Sequence, residues 1–107
     1  MSIQLGILID LLKAELVALG GEMITVGNTA VGLTPAAYAG ADLAIVSVED
    51  APIRYWEHGA NPTATVGQLV DFDERFPLLS PAILVGFRAI RASGSDSSIA
   101  VTYYRKG

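Results

Sequence analysis

The chain has no cysteine, which removes disulfides, thiolate nucleophiles and cysteine-ligated zinc or iron–sulfur centres and leaves the redox compartment open. It has a single histidine, His58. A Ser-His-Asp relay would have to be built around that residue, yet no G-x-S-x-G elbow accompanies it, and a site with two histidine ligands is impossible. A loop histidine beside Glu57 is more often solvated surface. Charge is scarce as well: 17% of residues are charged, below the roughly 25% usual for soluble domains. Lys and Arg number 7 against 11 acidic residues, for a net charge of −4. Arg88 and Arg91 stand near one another but make no basic stripe, so a nucleic-acid partner is not expected. The glycines are scattered, with no G-x-x-x-x-G-K or G-x-G-x-x-G between a strand and a helix, so no phosphate cradle is expected either.

What is present is apolar. The 107 residues suffice for one core and not for two. Apolar residues make up 51% and mean hydropathy is +0.46. A small globule with so few charges cannot cover itself in polar groups, and the surplus is most simply buried against other chains. The composition therefore predicts an oligomer or a docked subunit.

Residues 1–21 read as an apolar N-terminal helix, with its pattern running from Ile3 to Leu19 and its stop at Gly20 and Gly21. Leu5, Ile9, Leu12, Leu16 and Leu19 recur at spacings of four and three, the seam of a helix that pairs with like helices, and form the predicted oligomer interface. Ile7, Leu11, Ala14 and Ala18 make a second apolar stripe. One stripe can face the chain's own domain and the other a neighbour, and the pattern leaves both readings open. No Lys or Arg precedes the apolar run, as a signal peptide would require. Asp10, Lys13 and Glu15 interrupt it, against a membrane span.

Residues 22–107 change to short runs broken by turn residues, the signature of an all-β domain. The fold class predicted is mainly β: an antiparallel β-sandwich of jelly-roll or immunoglobulin-like size, with about seven or eight strands and the one N-terminal α-helix. Strands are expected over Met23 to Val26, Asp42 to Glu49, Ile53 to Glu57, Val66 to Phe72, Arg75 to Leu78, Phe87 to Ala92 and Ser98 to Arg105. Val66, Val70 and Phe72 should share one face of their strand. Pro52 and Pro77 mark strand starts or edges, because proline cannot donate to a ladder. Thr34-Pro35 and Ser80-Pro81 carry helix-start signatures for single turns. Ser93 to Asp96 is expected to be a hairpin tip.

Residues with chemistry are few. Asp71, Asp73 and Glu74 gather near a turn and would need backbone oxygens to hold a hard cation; a solvated turn is the commoner outcome. Glu49 and Asp50, adjacent on a strand, point to opposite faces and cannot act as an acid–base pair. Tyr55 and Trp56 likewise face opposite ways, so one can anchor the core while the other meets solvent, a sugar or a partner. Asn61-Pro62-Thr63 is no glycosylation acceptor, because proline follows the asparagine. Neither a catalytic residue, nor a metal site, nor a cofactor is expected.

Three stretches carry a resemblance. They are Val48-Glu49-Asp50-Ala51-Pro52-Ile53-Arg54-Tyr55, the loop Gly59-Ala60-Asn61-Pro62-Thr63-Ala64-Thr65-Val66-Gly67, and Phe87-Arg88-Ala89-Ile90-Arg91-Ala92 with the closing Val101-Thr102-Tyr103. Together they resemble small β-rich virion structural proteins of tailed bacteriophages, over most of Ile24 to Tyr104; the N-terminal helix departs from the plainest form of the pattern. The resemblance implies a non-enzymatic capsid decoration (cement) or head-fibre-like subunit on the virion surface. Its partners would be copies of itself, with a homotrimer favoured, and the major capsid protein or another virion protein. Neither nucleic acid nor membrane would be a partner. Arg54, Trp56, His58 and Asn61 are the candidate partner contacts. The alternative is a tail or fibre component that binds host glycans through the loop around Trp56 and His58.

Overall fold

The computed structural model describes residues 16–107. They are mainly β, in two antiparallel sheets. The strands are β1 (Leu16–Val26), β2 (Leu43–Glu49), β3 (Ile53–Trp56), β4 (Gln68–Val70), β5 (Arg75–Leu78), β6 (Arg88–Arg91) and β7 (Ser97–Lys106). Two short helices intervene, α1 (Pro35–Tyr38) and α2 (Pro81–Gly86). One sheet has four strands in the order β1-β7-β2-β5, and the other has three in the order β4-β3-β6.

Period-two alternation decides which side chains go inside. Along β7, Ile99, Val101 and Tyr103 are buried while Ser98, Ala100, Thr102 and Tyr104 are half-buried on the other face. In β2 the inward set is Ala44, Val46 and Val48, and in β3 it is Ile53 and Tyr55. With Phe76, Leu78, Val70, Leu84, Phe87 and Ala89 they form one core shared by both sheets. The sheets meet through rings: Tyr55 of β3 stacks on Phe76 of β5 at 4.4 Å and 11°, and Phe87 tilts against both. Each such side chain, fully buried, contributes on the order of 1.5–3 kcal/mol from area alone.

The N-terminal helix is corrected where the structure describes it. Leu16 to Gly21, expected as the helix's last turn and stop, form the first half of β1. Leu16 and Val17 pair with Lys106 and Arg105 of β7, and the glycines lie inside the strand rather than at a helix end. Gly20 takes φ +146°, a conformation open to glycine. The register shifts between Ala18 and Gly20, with Leu19 as the extra residue. Ladder hydrogen bonds to a ten-residue neighbour, β7, outweigh a local helical pattern at its C-terminal end, as tertiary context commonly does. Leu5, Ile9 and Leu12 lie outside the described residues.

Two further expectations change. Only Gln68–Val70 of the 66–72 segment is strand, and Val70 is buried while Val66 and Phe72 are exposed. Ser93 to Asp96 is not a hairpin tip: β6 pairs with β3 in one sheet and β7 with β1 and β2 in the other. The chain crosses between sheets there. Ser97, 2% exposed, holds the crossing, its hydroxyl lying 2.5 Å from the Glu49 carbonyl and 2.6 Å from that of Ala51. The edge reading of Pro77 stands, since β5 is an outer strand of its sheet.

Candidate functional site

The outer face of the three-stranded sheet gathers most of the chemically distinctive side chains. Arg54 pairs with Leu69 on one side and Ile90 on the other, and Trp56 pairs with Arg88. These residues alternate with the inward Ile53, Tyr55 and Ala89, so they share the face turned away from the core. Trp56 continues into the 57–67 loop, where its ring lies 5.1 Å from the exposed His58 at 59°. Asn61 is exposed in the same loop.

Both guanidinium groups on this face are occupied. Arg54 donates from Nε to the Ala64 carbonyl at 3.0 Å and from an η nitrogen to that of Gly67 at 2.9 Å. Arg88 donates to the Val85 and Phe87 carbonyls at 3.1 and 2.7 Å. The fork of each arginine thus holds backbone, which makes Arg54 a strap for the loop. The loop is tightened further by Thr63, whose hydroxyl accepts from the Val66 amide at 3.0 Å. Gly67, at φ +135°, sits so close to Pro62 and Arg54 that a Cβ would touch both side chains.

The other end of the loop is pinned to α2. Gly59 donates its amide to the Gly86 carbonyl at 2.9 Å, and Gly86 packs flat against the Glu57 carbonyl, leaving no room for a Cβ. Glu57 is half-buried, and burial pushes its carboxyl above the usual range. The Tyr55 phenol is pushed up to about 12, first by burial and then by the negative charge of Glu57.

A second feature is an open recess of about 260 Å³ lined by Val48, Glu49, Asp50, Phe72 and Asp73. Two of its three carboxylates are bonded locally: Asp50 accepts from the Ser98 hydroxyl at 2.8 Å, and Glu49 from that of Ser47 at 3.0 Å. Asp71 and Glu74 accept from the Phe72 and Asp71 amides. The acidic run is therefore a self-bonded turn, and among the described residues no three His, Cys, Asp or Glu side chains converge as a metal would need.

Of the four candidate contacts, then, Arg54 and Trp56 share a face, His58 joins them through the Trp56 ring, and Asn61 stands in the attached loop. The predicted interface residues Leu16 and Leu19 are in β1, half-buried and exposed respectively. What sequence reasoning missed is a set of exposed large apolar residues: Met23, Val66, Leu69, Phe72, Leu79 and Val85. The low charge content pointed to such a set without saying which members. Among the described residues no helix is long and apolar enough to cross a membrane. No protein-family model matches the chain, and no curated protein sequence matches it.

Proposed function

We propose that this chain is a non-enzymatic virion structural protein, a capsid decoration subunit that self-associates and binds the capsid surface. In this reading the two sheets stack as a small β-sandwich whose outer surfaces do the work. The observation that carries it is the exposure of Val66, Leu69 and Phe72, at 54, 57 and 57%, in and beside the edge strand β4. Three large apolar side chains within seven residues, on a chain with 17% charge, suit a docking surface better than a free one. The likeness of Val48 to Tyr55 and of the 59–67 loop to phage virion proteins gives the partner its kind, a capsid protein. Many copies on one particle let each contact be weak.

The test is binding of the purified chain to capsids that lack it. Leu69→Asp and Phe72→Asp together should abolish capsid binding while leaving the fold intact by circular dichroism. Full binding by the double variant would sink the proposal. A second reading has its own observation, the Trp56–His58 ring pair on the outer face: a tail or fibre component could lay a host sugar ring there. Binding on a glycan array that disappears with Trp56→Ala would favour it over capsid decoration.

A further inference from the structure

The four-stranded sheet has two unlike edges. β5 is four residues long and carries Pro77 and Arg75, devices that discourage pairing with another strand. β1 is 11 residues long and contains no proline. Beyond its ladder to β7, no backbone group of β1 takes part in a hydrogen bond among the described residues. In the other sheet, β4 has three residues, and β6 is covered by Val31 and by the Gly27 carbonyl. β1 is thus the long unguarded edge among the described residues. Its bulge at Leu19 disturbs only the first part, and the register is regular from Gly20 to Val26.

We propose that two copies of this chain join through their β1 edges, antiparallel about a two-fold axis near Met23, so that each four-stranded sheet continues into the other. An extended edge is its own complement, because amides and carbonyls alternate along it, and an isologous pair uses the same patch twice. The side chains permit it. The one charged residue of β1, Glu22, is turned inward, where it accepts from the Tyr103 hydroxyl and from Thr34. Gly21, Met23 and Thr25 alternate with it on the exposed side; the two Glu22 residues would stand diagonally across the axis, about 7–8 Å apart, each carboxylate held by its own Tyr103 and Thr34. Met23, 63% exposed, would meet its own copy at the axis and lose that exposure.

Charge is compatible with the antiparallel sense. Arg105 and Lys106 flank the start of β1, while Glu49 and Asp50 lie near its end through Ser98. Antiparallel pairing sets the basic end of one copy alongside the acidic end of the other. The acidic pair sits at the end of β2, so four strand spacings, about 19 Å, separate it from the basic end of β7 in the other copy. That exceeds the Debye length of about 10 Å at 0.1 M salt, so these charges orient the encounter more than they strengthen the pair.

The pairing goes beyond the capsid reading and does not need it. A chain that pairs but ignores capsids overturns only the capsid docking, and a monomer that binds capsids overturns the pairing and with it the self-association, leaving the docking. The experiment uses the full-length chain, whose lack of cysteine makes a single introduced thiol unambiguous. Met23→Cys should give a disulfide-linked dimer on mild oxidation, since facing residues of paired strands lie about 4.5–5.5 Å apart at Cα, within reach of the bond. Leu69→Cys on β4 should not. In sedimentation, the wild type should show twice the chain mass, and Met23→Lys with Thr25→Lys should return it to the monomer at the same concentration. Hydrogen exchange of the wild type should show β1 amides that lose protection on dilution. A wild-type monomer, as when residues 1–15 or a foreign peptide cover the edge instead, overturns the proposal. So does a trimer or larger assembly indifferent to the lysines, or a β1 whose exchange ignores concentration.

Discussion

The hydroxyl of Tyr103 donates to the Glu22 carboxylate at 2.5 Å across 81 residues of sequence. The same carboxylate accepts from the Thr34 amide at 3.3 Å and its hydroxyl at 2.7 Å, which ties β1, β7 and the start of α1 to one charge. Tyr103 is 1% exposed, so its phenol has no water to turn to. Tyr103→Phe removes a charge-assisted bond and should cost about 1–3 kcal/mol. Thermal unfolding should show a midpoint lower by about 4–8 °C per kcal/mol for a chain of this size.

The alkaline limb of stability should be governed by two buried phenols. Tyr55 is raised from 10.0 to about 12 by burial and then by Glu57. Tyr103 is raised by burial and then by its bond to Glu22. A folded value above the unfolded one means that the unfolded chain releases its proton first. The contribution is whole below about pH 10, the unfolded phenol's value, and is lost as pH rises through the folded values. Urea unfolding should therefore show stability constant from about pH 7 to about pH 10 and falling above it.

Glu57→Gln separates the two causes acting on Tyr55. Removing the charge should lower the Tyr55 value while leaving it above 10.0, because burial is the larger cause. Ultraviolet titration of the phenol reads this directly. A value unchanged by the substitution would mean that burial acts alone.

Gly86→Ala should be among the costlier small substitutions, because its Cβ would run into the Glu57 carbonyl. Overpacking of this kind costs about 1–3 kcal/mol. Gly94, with nothing within 4 Å of a Cβ, is the control, and Gly94→Ala should stay within about 0.5 kcal/mol of the wild type.

Arg54→Ala should free the 57–67 loop by releasing the Ala64 and Gly67 carbonyls. Limited proteolysis in that loop should speed up, and Arg54→Lys should not restore resistance, since an ammonium lacks the fork that spans two acceptors. Asn61→Ala, in the same loop, should leave the cleavage rate as it was.

The β character and much of the inside can be read from the residues alone. Alternation in Ile53–Trp56 and Ser97–Lys106 is a local property of the chain, readable because side chains on a strand change face at every residue, and Leu43–Glu49, apolar on both faces, reads as the interior strand that β2 is. The proline and serine signals at Pro77 and Ser80 are local too: Ser80 does cap α2, accepting from the Ile83 amide at 3.2 Å. The opposite faces of Tyr55 and Trp56 followed from adjacency alone.

Which strands share a sheet, and with that the fate of the residues most open to misreading, emerges from long-range pairing. Leu16 and Leu19 fit a helical seam by spacing, yet pairing with β7 draws Leu16 to Gly21 into β1. Ser93 to Asp96 looks like a hairpin, yet each flanking strand finds a partner elsewhere. Phe72 and Val66 share the composition of core residues, and nothing within their own segment says that the two sheets leave them outside. Pairing between strands distant in sequence is set by the combined burial of both sheets, a non-local quantity that no window along the chain contains.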